Sequence, residues 1–328
     1  MLYPLTFQPI FKDRIWGGRE LERLYAKKIP AGSIGEAWEI SDRPGDASVI
    51  ANGPLAGKDL RWLMKNHAAE ILGQAKPAAA GRFPLLCKIL DARDKLSLQV
   101  HPPTGTAGFQ PASSVSGEPK TEMWFIADAA PGASLYVGLK RGVTRAEFER
   151  KISDGSVADC FHKIPVQAGD TMFLPSGRVH AIGDGLVIFE IQQNSDTTYR
   201  VFDWNRLGLD GQPRTMHVAQ SLASIDFNDF EPKLVETKFA AAGKIQKRTL
   251  VQDPLFNVEA WRLNAKDNEP LLPNKLQIIA VTAGAVEIKS GATTLNLAVG
   301  QFGLIPACLA QTEIICNRDA SLLHVTAN

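Results

Sequence analysis

The sequence predicts a mainly β protein with a few short helices, organised as two β-domains. Three observations carry this. Apolar residues fall in short runs bounded by Gly and Pro rather than in long periodic stripes. The stretch Gly169-Asp-Thr-Met-Phe-Leu-Pro175-Ser-Gly177-Arg-Val-His180 reads as a glycine turn, a short buried strand, a proline and glycine that turn the chain, and a histidine. Near residue 236 the texture changes to Val, Ile and Leu alternating with polar residues, punctuated by Ala283-Gly284 and Ser290-Gly291. The expected division is therefore residues 1–235, a β-barrel domain, and 236–328, a smaller all-β domain. At 328 residues the chain is long enough for two cores.

Composition narrows the class. Hydrophobic residues make up 45% and charged residues 22%, ordinary values for a globular protein. A net charge of +1 argues against a nucleic-acid surface. The N-terminus lacks a charged segment followed by an apolar one, so no signal peptide is expected, and no run approaches 18 apolar residues, so no membrane partner is expected. Cys87, Cys160, Cys308 and Cys316 show no CxxC spacing and read as buried free thiols of a cytoplasmic protein.

In chain order, residues 1–58 suit a β-rich start in which Trp16 and Trp38, beside glycines, pack in a core or flank a pocket. Residues 59–73 predict a helix: Leu60, Leu63, Met64, His67 and Ile71 share a stripe, Asp59 caps the start and Gly73 ends it. His67 reads as structural. In Phe83-Pro-Leu-Leu-Cys-Lys88-Ile-Leu, Lys88 interrupts a buried strand, either snorkelling at an edge or binding an anion in a pocket. Residues 96–101 alternate Leu96, Leu98 and Val100 against Ser97, Gln99 and His101, so the two ligand-type side chains share a face. Residues 102–119 form a long small-residue loop of the kind used as a lid. A strand resumes with Lys120, Glu122 and Trp124 on one face, either a surface ion-pair ladder or part of a site. Residues 144–155 predict a connecting helix with a Thr144/Glu147 capping box and a terminal glycine; His162 beyond it reads as a surface or packing residue. Glu190 and Arg200 are charges placed mid-strand; Arg200 suits anion contact or oxyanion stabilisation, or else a salt bridge to Glu190 or Asp203.

Gln99, His101, Glu122 and His180 supply an amide oxygen, two imidazoles and a carboxylate, a donor set suited to a borderline divalent metal such as zinc. The second domain repeats part of this: Gly300-Gln-Phe-Gly-Leu-Ile-Pro306 has the glycine-to-proline spacing of Gly169 to Pro175. Gln311 stands where His180 would, and no QxH precedes it, so the second copy reads as degenerate.

Gly-x5-Pro-x-Gly-x2-His, matched from Gly169 to His180, resembles the second motif of the cupin superfamily, and Gln99-x-His101 with Glu122 resembles the first. Together with Lys120-Thr-Glu-Met-Trp and Tyr199-Arg-Val-Phe-Asp-Trp204, these motifs resemble the type I mannose-6-phosphate isomerase family in its short bacterial form, over residues 7–206. The family's long helical insert is absent, and Thr121 stands where long members often carry proline. The resemblance implies a cupin-type jelly-roll catalytic domain followed by a degenerate cupin-like domain. It implies one zinc per chain held by Gln99, His101, Glu122 and His180, catalytic Arg200 and Lys120, and sugar-phosphate contacts from Lys88, Lys120, Arg200 and Glu190. The implied reaction interconverts mannose 6-phosphate and fructose 6-phosphate through a cis-enediol, in a monomer or homodimer. A metal-activated water, Lys120, Glu190 and Asp196 are candidates for the base. The rival readings are another metal cupin enzyme, either a dioxygenase or a different sugar-phosphate isomerase, and a non-catalytic sugar-binding bicupin.

Overall fold

The computed structural model describes residues 2–103 and 116–328. Most of the loop expected over 102–119 lies outside the described residues. In chain order come β1 (Ile10–Gly18), α1 (Glu20–Tyr25), β2 (Ile34–Ile40), the short β3 (Asp42–Arg43) and β4 (Asp46–Ala47), α2 (Leu60–Leu72) and β5 (Leu85–Ala92). Then follow β6 (Leu98–Val100), β7 (Glu122–Ala129), β8 (Ser134–Leu139), α3 (Arg145–Asp154), β9 (Phe161–Pro165), β10 (Thr171–Leu174), β11 (His180–Ile182), β12 (Leu186–Gln193), β13 (Tyr199–Phe202) and α4 (Val218–Ser224). The remainder is strand: β14 (Ala240–Ala242), β15 (Ile245–Gln252), β16 (Phe256–Leu263), β17 (Asn268–Pro270), β18 (Gln277–Ala283), β19 (Ala285–Ser290), β20 (Thr293–Ala298), β21 (Phe302–Ile305), β22 (Thr312–Ile315) and β23 (Ala320–Ala327).

The chain forms two compact units. One comprises Met1–Ile10, Trp38–Lys88 and Glu236–Asn328; the other comprises Phe11–Ala37 and Ile89–Val235. One boundary between the units falls at 235/236, and the first 88 residues are divided between them.

The second unit is built on a six-stranded sheet ordered β1-β2-β5-β12-β7-β10 and a five-stranded sheet ordered β13-β6-β11-β8-β9. Trp124 and Ile126 from the first sheet and Leu135, Val137 and Ile182 from the second belong to one buried cluster, so the sheets face each other across a shared core. The far side of the five-stranded sheet packs Leu98, Val100, Tyr199 and Val201 against Phe148 of α3. Thr144 caps α3 through the Glu147 N–H at 3.2 Å, as its sequence predicts. The 3.6-residue pattern did not reveal α1 and α4, which are only 6 and 7 residues long.

The other unit pairs the six-stranded β14-β15-β16-β23-β18-β21 with the four-stranded β17-β22-β19-β20 around a core that includes Trp261, Ile279, Ile288 and Leu322. The helix predicted over 59–73 is α2, with Asp59 accepting from the Trp62 N–H at 2.6 Å and Gly73 ending it at φ +59. His67 is half-buried and contacts Glu70 at 2.5 Å, a local structural pair. Three cysteines are buried as expected, but Cys308 is exposed. It follows the β21 strand in a turn that ends the apolar alternation, where side-chain spacing carries no information on burial.

The turn that delivers His180 is pinned twice. Gly169 and Gly177 both adopt φ +92, a region β-carbon-bearing residues resist. The Arg178 guanidinium forks onto Asp229 at 2.7 and 2.8 Å and donates to the Phe173 carbonyl at 2.7 Å. Replacing Asp229 by alanine should destabilise the protein by roughly 2 kcal/mol, since a largely buried guanidinium loses its fork. Urea unfolding checks this, and a loss under about 0.5 kcal/mol would show that the fork is idle.

Candidate metal centre

Each candidate ligand is placed by strand periodicity. His180 opens β11 and stands directly opposite Gln99 of β6, which in turn faces Arg200 of β13. Three neighbouring strands therefore present Arg200, Gln99 and His180 in one row on one face. His101 follows β6, two residues beyond Gln99. From the other sheet, Glu122 opens β7, opposite Gln192 of β12 and Leu174 of β10.

The side chains converge. Glu122 Oε1 lies 3.3 Å from His180 Nε2 and 3.6 Å from His101 Nε2, and Gln99 Nε2 is 3.3 Å from His180 Nε2. The ring centroids of His101 and His180 are 4.8 Å apart. His101, Glu122 and His180 are at most 1% exposed. Their donor atoms lie within 4.8 Å of one another, a group able to hold a metal ion.

The orientation of each imidazole is fixed from behind. His101 Nδ1 donates to the Thr197 carbonyl at 2.8 Å, and His180 Nδ1 donates to the Arg178 carbonyl at 2.9 Å. Both rings thereby turn an unprotonated Nε2 toward Glu122, the arrangement metal-ligating histidines adopt. Trp124 stands edge-on to the His180 ring at 5.3 Å.

These residues fit a metal ion. His101 Nε2 and Glu122 Oε1 are buried with no hydrogen-bond partner among the described residues. Four ligands about 2.1 Å from a tetrahedral centre stand about 3.4 Å from one another, close to the separations observed here. A flip of the Gln99 amide, which interchanges its nitrogen and oxygen, would turn the oxygen toward the same point.

The electrostatics follow from burial and one lysine. Lys120 Nζ lies 2.6 Å from Glu122 Oε2 and 3.5 Å from Glu190 Oε1, and Lys120 is 5% exposed. Burial raises the Glu122 pKa, but the Lys120 ammonium outweighs it and holds the carboxyl well below its usual range. Burial lowers the Lys120 pKa, but Glu122 and Glu190 outweigh it and keep the amine charged. Burial, reinforced by Lys120, keeps His101 neutral; His180 falls to about 3, chiefly through burial. The surface-ladder reading of Lys120 and Glu122 therefore does not hold, because both are buried.

Other positions sort as follows. Glu190 is buried and accepts the Trp124 indole N–H at 2.9 Å. Arg200 makes no ion pair among the described residues; its Nη1 donates to the Thr215 carbonyl at 2.9 Å, while Glu190 contacts Lys120 and Asp203 pairs with Arg206 and Arg214. Lys88 is buried on β5, with Nζ 5.0 Å from the Trp38 ring centroid. The sequence did not single out Gln192, which is buried beside Glu122; its i+2 spacing from Glu190 was the available signal. Nor did it reveal the carbonyls of Thr197 and Arg178, whose role depends on a turn rather than on residue type.

The chain is similar to known proteins. A family model described as phosphomannose isomerase type I, catalytic domain, matches residues 5–112. The probable mannose-6-phosphate isomerase GmuF of Bacillus subtilis is 34% identical over 314 residues, 96% of each protein. The mannose-6-phosphate isomerase of Streptococcus mutans is 35% identical over 311 residues, 93% of each. The crystal structure of the mannose 6-phosphate isomerase from Bacillus subtilis superposes with a TM-score of 0.87 at 31% identity, covering all of both chains.

The depressed imidazoles give the metal-free protein a pH dependence. His180 has a folded pKa of about 3, below the unfolded value of 6.5. The unfolded chain binds more protons between these values, so stability present above pH 6.5 is lost as pH falls toward 3. The slope for this one group approaches about 1.4 kcal/mol per pH unit. Urea midpoints of metal-free protein at pH 7.5 and 5.5 should fall, and His180→Gln should flatten the trend. Parallel trends in both proteins would refute it.

Proposed function

The chain belongs to the type I phosphomannose isomerase family, and on that premise we propose that it is a zinc-dependent aldose–ketose isomerase interconverting mannose 6-phosphate and fructose 6-phosphate. The observation that supports this most is the buried Glu122 carboxylate flanked by two imidazoles whose Nδ1 atoms are tied to backbone carbonyls. His101, Glu122 and His180, with Gln99 as fourth donor, would hold the ion. When bound, zinc polarises the sugar's carbonyl and hydroxyl oxygens without redox chemistry.

The protein's own residues do the rest. Isomerisation through a cis-enediol moves a proton between C1 and C2 while negative charge builds on oxygen. Lys120, held as an ammonium between Glu122 and Glu190, places a fixed positive charge beside that oxygen and can donate to it. Glu190 is held by Trp124 and Lys120 on the same face as the ligands, and we assign it the acceptance of the carbon-bound proton. Arg200, in the row with Gln99 and His180, adds a guanidinium for the developing oxyanion. The jelly-roll reading of each sheet pair, a smaller cupin-like second domain and a cytoplasmic enzyme acting on a small sugar phosphate belong to the same proposal.

Metal analysis paired with a coupled assay from mannose 6-phosphate to fructose 6-phosphate tests the reading. The expected result is one zinc per chain with turnover that chelation abolishes. Oxygen consumption with ferrous iron would instead indicate a dioxygenase, and substrate binding without exchange of the C2 proton for deuterium would indicate a binding protein. His101→Ala should abolish bound metal; a variant that keeps stoichiometric zinc would remove His101 from the ligand set. Glu190→Gln should keep its zinc and lose about 10²–10⁴-fold in turnover. Near-normal turnover would assign the base elsewhere.

A further inference from the structure

Arg200 is held from behind by residues 215–217. Its backbone N–H donates to His217 Nδ1 at 3.2 Å, and its carbonyl accepts the His217 N–H at 2.8 Å. Its Nη1 donates to the Thr215 carbonyl at 2.9 Å. Three bonds from residues 215–217 thus fix both the backbone and the guanidinium of one arginine, and its buried Nε has no hydrogen-bond partner among the described residues.

The segment is itself anchored one residue upstream. Arg214 Nε donates to Asp203 Oδ2 at 2.6 Å, and its Nη2 donates to Asp203 Oδ1. Asp203 lies just beyond β13, 4% exposed, and also receives Arg206 at 3.1 and 3.2 Å. Arg206 in turn reaches Asp94 at 3.1 Å. Between anchor and strap the chain makes a tight excursion closed by the Leu207–Pro213 bridge and the Gly208 N–H to Gln212 carbonyl bond at 2.7 Å. The return is held at its start by Trp204 and Asn205, both left-handed at φ +59 and +54, with the Trp204 indole donating to the Leu96 carbonyl at 2.7 Å.

We propose that Asp203, Arg214 and His217 are positioning residues that lock residues 213–217 as a strap and aim the Arg200 guanidinium at the reacting sugar. This rests on the isomerase reading above, in which Arg200 acts on the substrate. Without the strap, an arginine at the end of a strand samples many rotamers, and a misplacement of about 1 Å costs on the order of 10²-fold in rate. Arg14, Arg206 and Arg214 surround Arg200 with like charge, and burial together with Arg214 lowers its pKa. An unrestrained side chain would therefore swing away from its neighbours.

The test uses zinc-loaded enzyme and follows both coupled turnover of mannose 6-phosphate and C2 proton–deuteron exchange, which remains measurable at low rates. Arg214→Leu should lower kcat by about 10–100-fold, leave KM within about threefold and leave zinc content unchanged. In the Arg200→Ala background the same substitution should add less than about a threefold loss, because the residue it positions is gone. His217→Gln, whose amide oxygen can still accept the Arg200 N–H, should stay within about fivefold of the parent, whereas His217→Leu should match Arg214→Leu. Losses that multiply in the double variant, a loss carried by KM, or equal activity of His217→Gln and His217→Leu would each overturn the strap. If Arg214→Leu fails to fold, the His217 pair decides alone. Arg200→Ala with normal kcat would instead overturn the catalytic role of Arg200 itself.

Discussion

The structure of the site depends on burying the Glu122 carboxylate among two imidazoles and a lysine. A carboxylate with no exposure is costly unless its charge is met. Lys120 meets one oxygen at 2.6 Å; the other faces the Nε2 atoms of two rings that burial keeps neutral. A neutral imidazole presents a lone pair there, which repels a carboxylate oxygen unless a cation lies between them. The arrangement is therefore balanced for a divalent ion and poorly balanced without one.

That balance is achieved by strand register. Because side chains alternate with a period of two, Gln99 and His180 can meet only if β6 and β11 pair as observed; a one-residue slip of β11 would turn His180 to the opposite face. The glycines at 169 and 177 set where β10 begins and where the chain re-enters as β11, and the Arg178–Asp229 fork holds the turn between them. The carbonyl of that same Arg178 then orients His180, so a single residue links the turn's stability to the ligand's tautomer.

This explains which parts of the site were legible in the sequence. Gln99, His101, Glu122 and His180 could be read because strand alternation and Gly-Pro punctuation are local signals. Lys120, Glu190 and Arg200 stood out because a charge inside an apolar strand demands a partner. The identity of each partner was not local: Glu190 is met by Trp124 from a neighbouring strand, and Arg200 by carbonyl and ring atoms 15 and 17 residues away. Lys88 kept two readings, and its burial over Trp38 on β5, a strand with neighbours on both sides, decides against an edge position. The six- and seven-residue helices were too short to show a period, and the shared membership of the first 88 residues depends on long-range packing that composition does not record.

The repeat at Gly300 shows what separates a ligand site from its scaffold. Gly300 adopts φ +77, and β21 pairs with β18 in the register that β10 keeps with β7: Ile305 faces Gln277 as Leu174 faces Glu122. On the next strand, Thr326 faces Gln277 as Gln192 faces Glu122, and His324 faces Ile279 as Glu190 faces Trp124. At the place of the buried carboxylate there is thus a buried neutral amide. Gln277 Oε1 accepts the Leu272 N–H at 3.0 Å and the His324 Nε2–H at 2.8 Å, while its Nε2 donates to the Leu272 carbonyl at 2.8 Å. Both ends of the amide are satisfied within the protein, so no cation is needed to make its burial tolerable. A carboxylate-for-amide exchange at this register position, together with Gln311 in the place of His180, leaves hydrogen bonding where the first unit has a donor cluster, while the glycine–proline turn and the strand pairing persist. The fold, then, specifies a position between two sheets, and the side chains that register brings there decide whether a buried charge must be met or a neutral amide is satisfied in place.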